Sequence, residues 1–243
     1  MKRHEKIKQK QLPEHIAIIL DGNGRWAKKR GRSRSYGHRR GALNLKTIAL
    51  EADSLGIKFM SVYAFSTENW KRPKQEIDYL MKLPKSFEDE YDGEFKIENI
   101  RVRFSGRRDR LNEDNRKLME KIERKTAKNK GMVLNICFDY GSRYEITEAV
   151  KKIASEYKKG DLRLKDIDET VVDQHLYTTG LPPVDLLIRT SGEQRLSNFL
   201  LWQNAYAEFY FAKVHWPAFN EKQLQKAIMD YQKRNRKFGG LKG

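Results

Sequence analysis

The sequence predicts an α/β fold, a single domain with a central, mostly parallel six-stranded sheet flanked by helices. Three observations carry this. Apolar runs of strand length alternate with stretches of helical period along the whole chain. The inner runs are apolar throughout rather than alternating, as strands covered on both faces are. Four runs end in polar clusters, Asp21 to Arg25, Ser66 to Arg72, Asp139 to Arg143 and Arg189 to Ser197, which a parallel sheet brings to one edge, where ligands bind. With 243 residues and 38% hydrophobic content, the chain can bury one sizeable core.

Taken in order, residues 1–13 carry Lys2, Arg3, Lys6, Lys8 and Lys10 against Glu5 and read as a basic, flexible tail ahead of a domain over 14–243. Ile16 to Leu20 is an Ile-rich strand that stops at the turn Asp21-Gly22-Asn23-Gly24. From Arg25 to Arg40 there are eight Lys or Arg residues and no acid, a block that repels itself unless an anion neutralises it. Tyr36 to Leu55 follows as a helix, with Ala42, Leu45, Ile48, Ala49 and Ala52 on one side and Gly56 at its end. Phe59 to Phe65 is the second strand. Glu76 to Phe95 has helical period through Leu80, Leu83, Phe87, Tyr91 and Phe95, kinked or divided at Pro84; its stripe is either a core face or one wall of an apolar tunnel.

Ile100 to Ser105 is the third strand, and Asn112 to Asn129 a polar helix with Glu113 and Asp114 in its first turn. Met132 to Phe138 is a strand, Ile146 to Tyr157 a helix and Lys158 to Asp168 a charged connector. Val171 to Tyr177 is a short helix and Asp185 to Ile188 a short strand. Ala205 to Phe211 is an aromatic strand with Glu208 embedded in it, and Glu221 to Arg236 is the last helix.

The net charge of +17 favours anionic partners: nucleic acid, an acidic membrane surface or a phosphorylated small substrate. No nucleic-acid module or exposed aromatic platform accompanies the charge, which sets nucleic acid aside. Cys137, the single cysteine, lies in an apolar run; this excludes a disulfide framework and suits a reducing compartment. No signal sequence precedes the domain, and no run approaches the roughly eighteen apolar residues of a membrane span. The expectation is a cytoplasmic protein whose basic surplus rests against an acidic membrane.

The chemistry gathers at the strand ends. Gly22 and Gly24 let backbone N–H groups approach a ligand, and Arg25 and Arg34 offer forked bonds to phosphate oxygens. Beside them Asp21 makes a diphosphate site with a place for a divalent metal; a solvated basic loop is the alternative. Neither GxGxxG nor the P-loop pattern is present. Arg189, Arg195 and Ser197 form a second phosphate-type group, so two phosphorylated substrates would meet over a metal. Glu208, in its apolar run, either pairs with Arg189 or Arg195 or helps hold an ion near Asp21. Phe65 and Trp70 beside Ser66, Glu68 and Asn69 make an apolar wall with a polar rim, suited to a greasy tail and a charged head. His38 either orients a diphosphate or shuttles a proton, or else caps a helix. His4, His15, His175 and His215 have no metal-like spacing.

Four segments, His15 to Gly41, Tyr63 to Pro73, Arg189 to Gln203 and Ala207 to Phe211, together resemble the signature segments of the cis-prenyltransferases, and most of all the bacterial undecaprenyl diphosphate synthases. The resemblance runs in order over residues 13–241. It implies magnesium-dependent, sequential head-to-tail condensation of isopentenyl diphosphate onto an allylic diphosphate, usually farnesyl diphosphate, with each new double bond cis. An undecaprenyl product for a cell-wall lipid carrier is the expectation. The resemblance implies that Gly22, Asn23, Gly24, Arg25 and Arg34 hold the allylic diphosphate with His38 nearby, and that Asp21 places magnesium between the substrates. Arg189, Arg195 and Ser197 would hold the diphosphate of isopentenyl diphosphate, with Glu208 assisting the metal or the arginines. Trp26, Phe65, Glu68, Trp70 and Arg72 fall in the same substrate-binding segments, and Ser66 and Asn69 join the outgoing diphosphate as candidates for the proton transfer.

Phe238-Gly239-Gly240 resembles the terminal segment that completes this site from a neighbouring subunit, which implies a homodimer with Gly240 at the substrate. Ala64, Leu80, Leu83, Phe87 and Leu134 would line the product tunnel, where each buried CH₂ contributes about 0.8 kcal/mol. The acid clusters of the trans-synthases, DDxxD, are absent. Several positions depart from the family pattern: Leu20 for Met, Arg107 for Asp, Ala218 for Asp, and Asp139 and Ser142 for the Asn and Gly of Asn-Tyr-Gly-Gly-Arg. None of them removes Asp21, Arg189, Arg195 or Glu208, so an active enzyme is expected. A shorter or branched product and a non-catalytic partner subunit are the alternatives within the family; such partners lose the acid at the position of Asp21.

Overall fold

The apolar runs form six strands: β1 His15–Ile19, β2 Phe59–Ser66, β3 Arg101–Ser105, β4 Val133–Tyr140, β5 Leu186–Arg189 and β6 Glu208–Phe211. They are seen in a computed structural model that describes residues 3–8, 10–82, 84–85 and 99–235. The strand order is β3-β4-β2-β1-β5-β6, and all of these pairings are parallel. In register, Ile19 lies opposite Tyr63 and Arg189, and Ser66 opposite Tyr140. The polar clusters that follow these residues therefore share one edge. Between β1 and β5 the chain changes direction across the sheet, the place where an open α/β sheet leaves a crevice.

The helices are α1 Arg3–Lys8, α2 Asn23–Lys28, α3 Arg34–Leu55, α4 Lys74–Leu80, α5 Glu113–Thr126, α6 Ser142–Lys159, α7 Glu169–His175 and α8 Glu221–Tyr231. On one sheet face Ile16, Ile18, Met60, Val62, Leu134 and Ile136 join Leu45, Ile48 and Ala52 of α3 and Leu224 and Ile228 of α8 in one core. The other face packs Ala17, Ile19, Tyr63 and Cys137 against Phe199 and Leu200. Both faces of the central strands β1, β2, β4 and β5 are covered, which is why these runs are largely apolar.

Local boundaries differ from the sequence reading for identifiable reasons. The basic stretch after β1 is not all loop: Gly22 takes a left-handed conformation (φ 97°) that reverses the chain, and Asn23–Lys28 winds into α2. Gly37 lets α2 and α3 touch, since a Cβ there would lie 2.1 Å from the Asn23 carbonyl oxygen. α3 begins at Arg34 because Ser33 caps it, accepting from Tyr36 N at 3.2 Å. α4 ends at Leu80; the expected continuation through Leu83 and Phe87 lies outside the described residues. β4 runs on to Tyr140 and α6 starts at Ser142.

The basic tail is in part helical and packs on the domain. Ile7 of α1 is fully buried against the domain, its carbonyl accepts from Gln232 Nε2 at 2.9 Å, and His4 pairs with Glu51 at 2.7 Å. A single apolar side chain in a charged stretch anchors the segment, and one residue makes no periodic signal.

A polar ladder crosses the second face of the sheet. The Pro182 carbonyl can only accept, so His15 Nδ1 carries the ring proton (2.8 Å), and Nε2 accepts from Ser61 Oγ at 2.8 Å. Ser61 accepts in turn from Asn135 Nδ2 (3.0 Å), whose Oδ1 accepts from Ser105 Oγ (2.7 Å). Burial lowers the His15 pKa to about 4, the Pro182 contact and Asp185 only partly opposing it. The unfolded chain therefore binds more protons than the folded one between the ordinary value of 6.5 and about 4. Stability is complete above that window and is lost as pH falls through it, by about 3 kcal/mol for this one group. Melting temperature measured from pH 7 to pH 4 should fall, and a His15→Gln variant should show a shallower fall; equal slopes in both proteins would contradict this.

Candidate active site

β1 delivers Leu20 and Asp21 to the C-terminal edge of the sheet. The turn that follows has no space for a side chain: a Cβ on Gly22 would lie 1.9 Å from Ser191 Oγ and 2.6 Å from His215 Nδ1. Asp21 is held from both sides. Its Oδ1 accepts from Arg25 Nη2 at 2.9 Å and its Oδ2 from Arg189 Nη2 at 3.0 Å, while its backbone N–H donates to Thr190 Oγ1 at 3.0 Å. Arg189 ends β5 with its side chain only 5% exposed; it also donates to Ser197 Oγ (2.7 Å) and to the Arg195 carbonyl. The loop carrying those partners keeps Ser191, Ser197, Asn198 and Leu200 in left-handed backbone, which non-glycine residues hold only where surroundings impose it.

Two carboxylates that sequence reasoning missed complete the arrangement. Glu193 bridges the two arginine groups, accepting from Arg25 Nη1 at 2.5 Å and from Arg195 Nη1 at 2.6 Å; these bonds hold its pKa below the usual carboxylate value. Glu76 of α4 accepts from Arg34 (Nε and Nη2, both 3.1 Å) and from Arg72 Nη1 (2.8 Å), and His38 Nε2 lies 3.4 Å away without hydrogen-bond alignment. Burial alone would raise the Glu76 carboxyl, but the Arg34 bonds and the charge of Arg72 outweigh it and hold it low. Burial lowers His38 to about 4 against the pull of Glu76, with Arg72 and Arg34 adding to the fall, so its imidazole is neutral at pH 7. Gly24 lets Arg34 come close, a Cβ there lying 3.0 Å from its Cζ.

Part of this arrangement lines a cleft of about 660 Å³, while Gly22, Gly24, Arg25, Arg34, Glu76 and Glu193 stand beside it without lining it. Asp21, Asn23, His38, Ser66, Glu68, Asn69, Arg72, Arg189, Arg195 and Ser197 line its polar part, and Ala42, Leu45, Ala64, Leu80, Pro84, Phe104, Ile136 and Phe138 its apolar part. Among the described residues, six buried side-chain polar atoms have no partner, and three of them, Asn23 Oδ1, His38 Nε2 and Arg189 Nε, belong to residues lining this cleft. Unpaired buried polar groups are costly, and these three lie within the wall of the cleft rather than open to it.

Several expected site residues stand elsewhere. Phe65 and Phe138 stack at 5.3 Å with Trp70 edge-on to Phe65, so Phe65 and Trp70 support the cleft from behind rather than line it. Trp26 stacks on Tyr36 at 6.1 Å under Arg30 and does not line it either. Leu134 is fully buried in the core, two residues before Ile136, which does line the cleft. Leu83, Phe87 and Gly240 lie outside the described residues.

Within one chain, Glu208 stands away from Asp21. It pairs with Leu186 at the start of β6, three residues before Phe211, the partner of Arg189, and so roughly 10 Å toward the opposite edge of the sheet. Its carboxylate accepts from Arg234 Nη1 at 2.7 Å, not from Arg189 or Arg195. Strand alternation kept its charge off the core, but only the pairing register shows which edge it belongs to.

Among the described residues, His, Cys, Asp and Glu form no cluster of three or more suited to a metal. The donor set still fits magnesium, which commonly takes one or two protein carboxylates and completes its shell with substrate phosphates and water. In this chain Asp21 is the carboxylate at that place.

Comparison with known proteins agrees with this architecture. The pattern of the family described as "Putative undecaprenyl diphosphate synthase" matches residues 19–239. The isoprenyl transferase of Lactobacillus johnsonii is 53% identical over 228 residues, 93% of this chain and 95% of the relative. That of Bacillus subtilis is 49% identical over 237 residues, 98% of this chain and 91% of the relative. Lavandulyl diphosphate synthase from Lavandula x intermedia, solved in complex with dimethylallyl diphosphate, superposes with a TM-score of 0.90 at 40% identity, over 94% of this chain and 99% of that one. A probable undecaprenyl diphosphate synthase from Campylobacter jejuni gives 0.77 at 32% identity, over 95% and 99%. The chain belongs to the cis-prenyltransferase family. Its fold is that of the undecaprenyl diphosphate synthases, and the general condensation chemistry of isoprenyl diphosphates comes with the family.

Proposed function

We propose that this chain joins isopentenyl diphosphate to an allylic diphosphate in the cleft beyond β1 and β5, with magnesium, making cis double bonds. The observation that carries the reading is one cleft in which Asp21 and the side chains of Arg72, Arg189 and Arg195 face an apolar wall made by Ala42, Leu45, Ala64, Leu80 and Phe104, room for charged heads beside greasy tails. In this reading Arg34, Arg72, Asn23 and neutral His38 bind the allylic diphosphate, and Arg189, Arg195 and Ser197 bind the second substrate. Asp21 would hold magnesium, which when bound would supply charge neutralisation for the departing diphosphate. The arginines stabilise the same developing charge as the allylic C–O bond breaks, the new C–C bond forms, and a proton leaves the carbon next to it. Ser66 and Asn69 line the cleft beside that carbon's expected position, and Asn69 Oδ1 already accepts from Ser66 N at 3.1 Å.

A product of short or medium length, or a branched one, is favoured by the fold and 40% identity shared with a lavandulyl diphosphate synthase. The long undecaprenyl chain, with its use as a cell-wall lipid carrier, is the second reading, suggested by the bacterial relatives. A homodimer completed by the segment around Gly240, and contact of the basic surface with an acidic membrane, belong to the same proposal; among the described residues no helix is long and apolar enough to cross a membrane.

Incubation with isopentenyl diphosphate, magnesium and either dimethylallyl or farnesyl diphosphate, followed by chromatography of the dephosphorylated products and NMR of the double bonds, tests this. Cis products of a few isoprene units support the first reading and an undecaprenyl chain the second. No condensation with either primer would sink both.

A further inference from the structure

Asp139 and Ser142 make contacts that lead toward the cleft without lining it. Asp139 is fully buried and in left-handed backbone (φ 49°). Its Oδ1 accepts from Trp70 Nε1 at 2.8 Å and from Arg110 Nη2, and its Oδ2 accepts from Arg110 Nε at 3.0 Å. The guanidinium of Arg110 also lies over the Trp70 ring, 5.3 Å from its centre. A buried carboxylate would be costly alone; paired this way, it fixes the 3₁₀ turn Thr67–Lys71, to which Trp70 belongs.

Ser142 does the corresponding thing for the other loop. Its Oγ accepts from Leu201 N at 3.0 Å and its N–H donates to the Asn198 carbonyl at 2.9 Å. The segment so held is the strained one that carries Ser197. Between Asp139 and Ser142 the two loops meet: Asn198 Nδ2 donates to Glu68 Oε1 at 2.9 Å, and a Cβ on Gly141 would lie 2.5 Å from Thr67 Oγ1 and 2.8 Å from Asn198 Nδ2.

We propose that the turn 139–142 is a clip that sets the two substrate loops against each other, with Asp139 anchoring the first through Trp70 and Ser142 anchoring the second through the Leu201 N–H. Its members are positioning residues. The inference rests on the proposed function in that it takes the loops to serve two substrates, but the contacts exist without any substrate. An Asn at 139 would still accept from Trp70 yet leave Arg110 without its countercharge, and a Gly at 142 has no hydroxyl for Leu201. The two anchors would make the opening of one loop depend on the other.

Amide hydrogen exchange on the ligand-free protein reads this directly. Ser142→Ala deletes one acceptor, so amides over 198–203 should exchange roughly fivefold faster, and those over 67–72, which Ser142 does not touch, should accelerate with them. Asp139→Asn should give the mirror result, 67–72 first and 198–203 following. If each substitution speeds only the loop it touches, or neither loop responds, the clip does not exist. A Trp70→Phe variant, which removes the indole N–H that Asp139 accepts along with part of the ring, provides the same readout should Asp139→Asn fail to fold. In steady-state assays each variant should raise KM for both diphosphates more than it lowers kcat. Coupled exchange in a wild-type protein that condenses nothing would leave the clip standing and remove the enzyme reading instead.

Discussion

Asp21→Asn is expected to lower condensation by about a thousandfold at saturating substrates, with the fold retained. The amide has nearly the shape of the carboxylate, and the Thr190 contact to the Asp21 backbone N–H is untouched. What disappears is the single negative charge between Arg25 and Arg189, and with it the one carboxylate at the place proposed for magnesium. One end of the amide must also present N–H to an arginine. Arg189 is almost fully buried and would be left with a cation and no countercharge, so some loss of stability accompanies the loss of rate. Circular dichroism separates the two effects. Activity within tenfold of wild type in a folded Asp21→Asn protein would mean that the chemistry is not centred there.

Glu76→Gln should raise KM for the allylic diphosphate about tenfold or more while leaving KM for isopentenyl diphosphate near its original value. Glu76 is 12% exposed and gathers Arg34 and Arg72 from separate elements, with His38 beside them. Without its charge the two guanidinium groups repel each other, and the ligand-free site spreads. Inorganic pyrophosphate, replacing the lost charge, should then raise the melting temperature of the variant more than that of the wild type. A Glu76→Gln protein that binds the allylic substrate more tightly would show instead that the carboxylate competes with the diphosphate.

Much of the cleft is legible in the sequence, and particular residues show why. Asp21 and Arg189 each follow an apolar run by local chain order, so a parallel sheet places them side by side once the strands are recognised. Their contact at 3.0 Å follows from the register of Ile19 with Arg189. Glu76 and Glu193 were not legible as site residues. Each sits in a stretch where a carboxylate is ordinary helix or loop chemistry, and nothing in its spacing names the arginines it meets. Glu208 shows the converse: its apolar setting is unusual, but that alone does not say at which end of the strand the charge lies.

Periodicity, turn chemistry and the ends of apolar runs belong to neighbouring residues, and they suffice for the α/β class, the shared polar edge and the candidate arginines. Which carboxylate answers which guanidinium depends on strand order, register and side-chain direction, relations between residues as far apart as Asp21 and Arg189. Those exist only after the sheet has assembled, so the bridging of Arg25 to Arg195 by Glu193 and the pairing of Glu208 with Arg234 were decided by the folded chain alone.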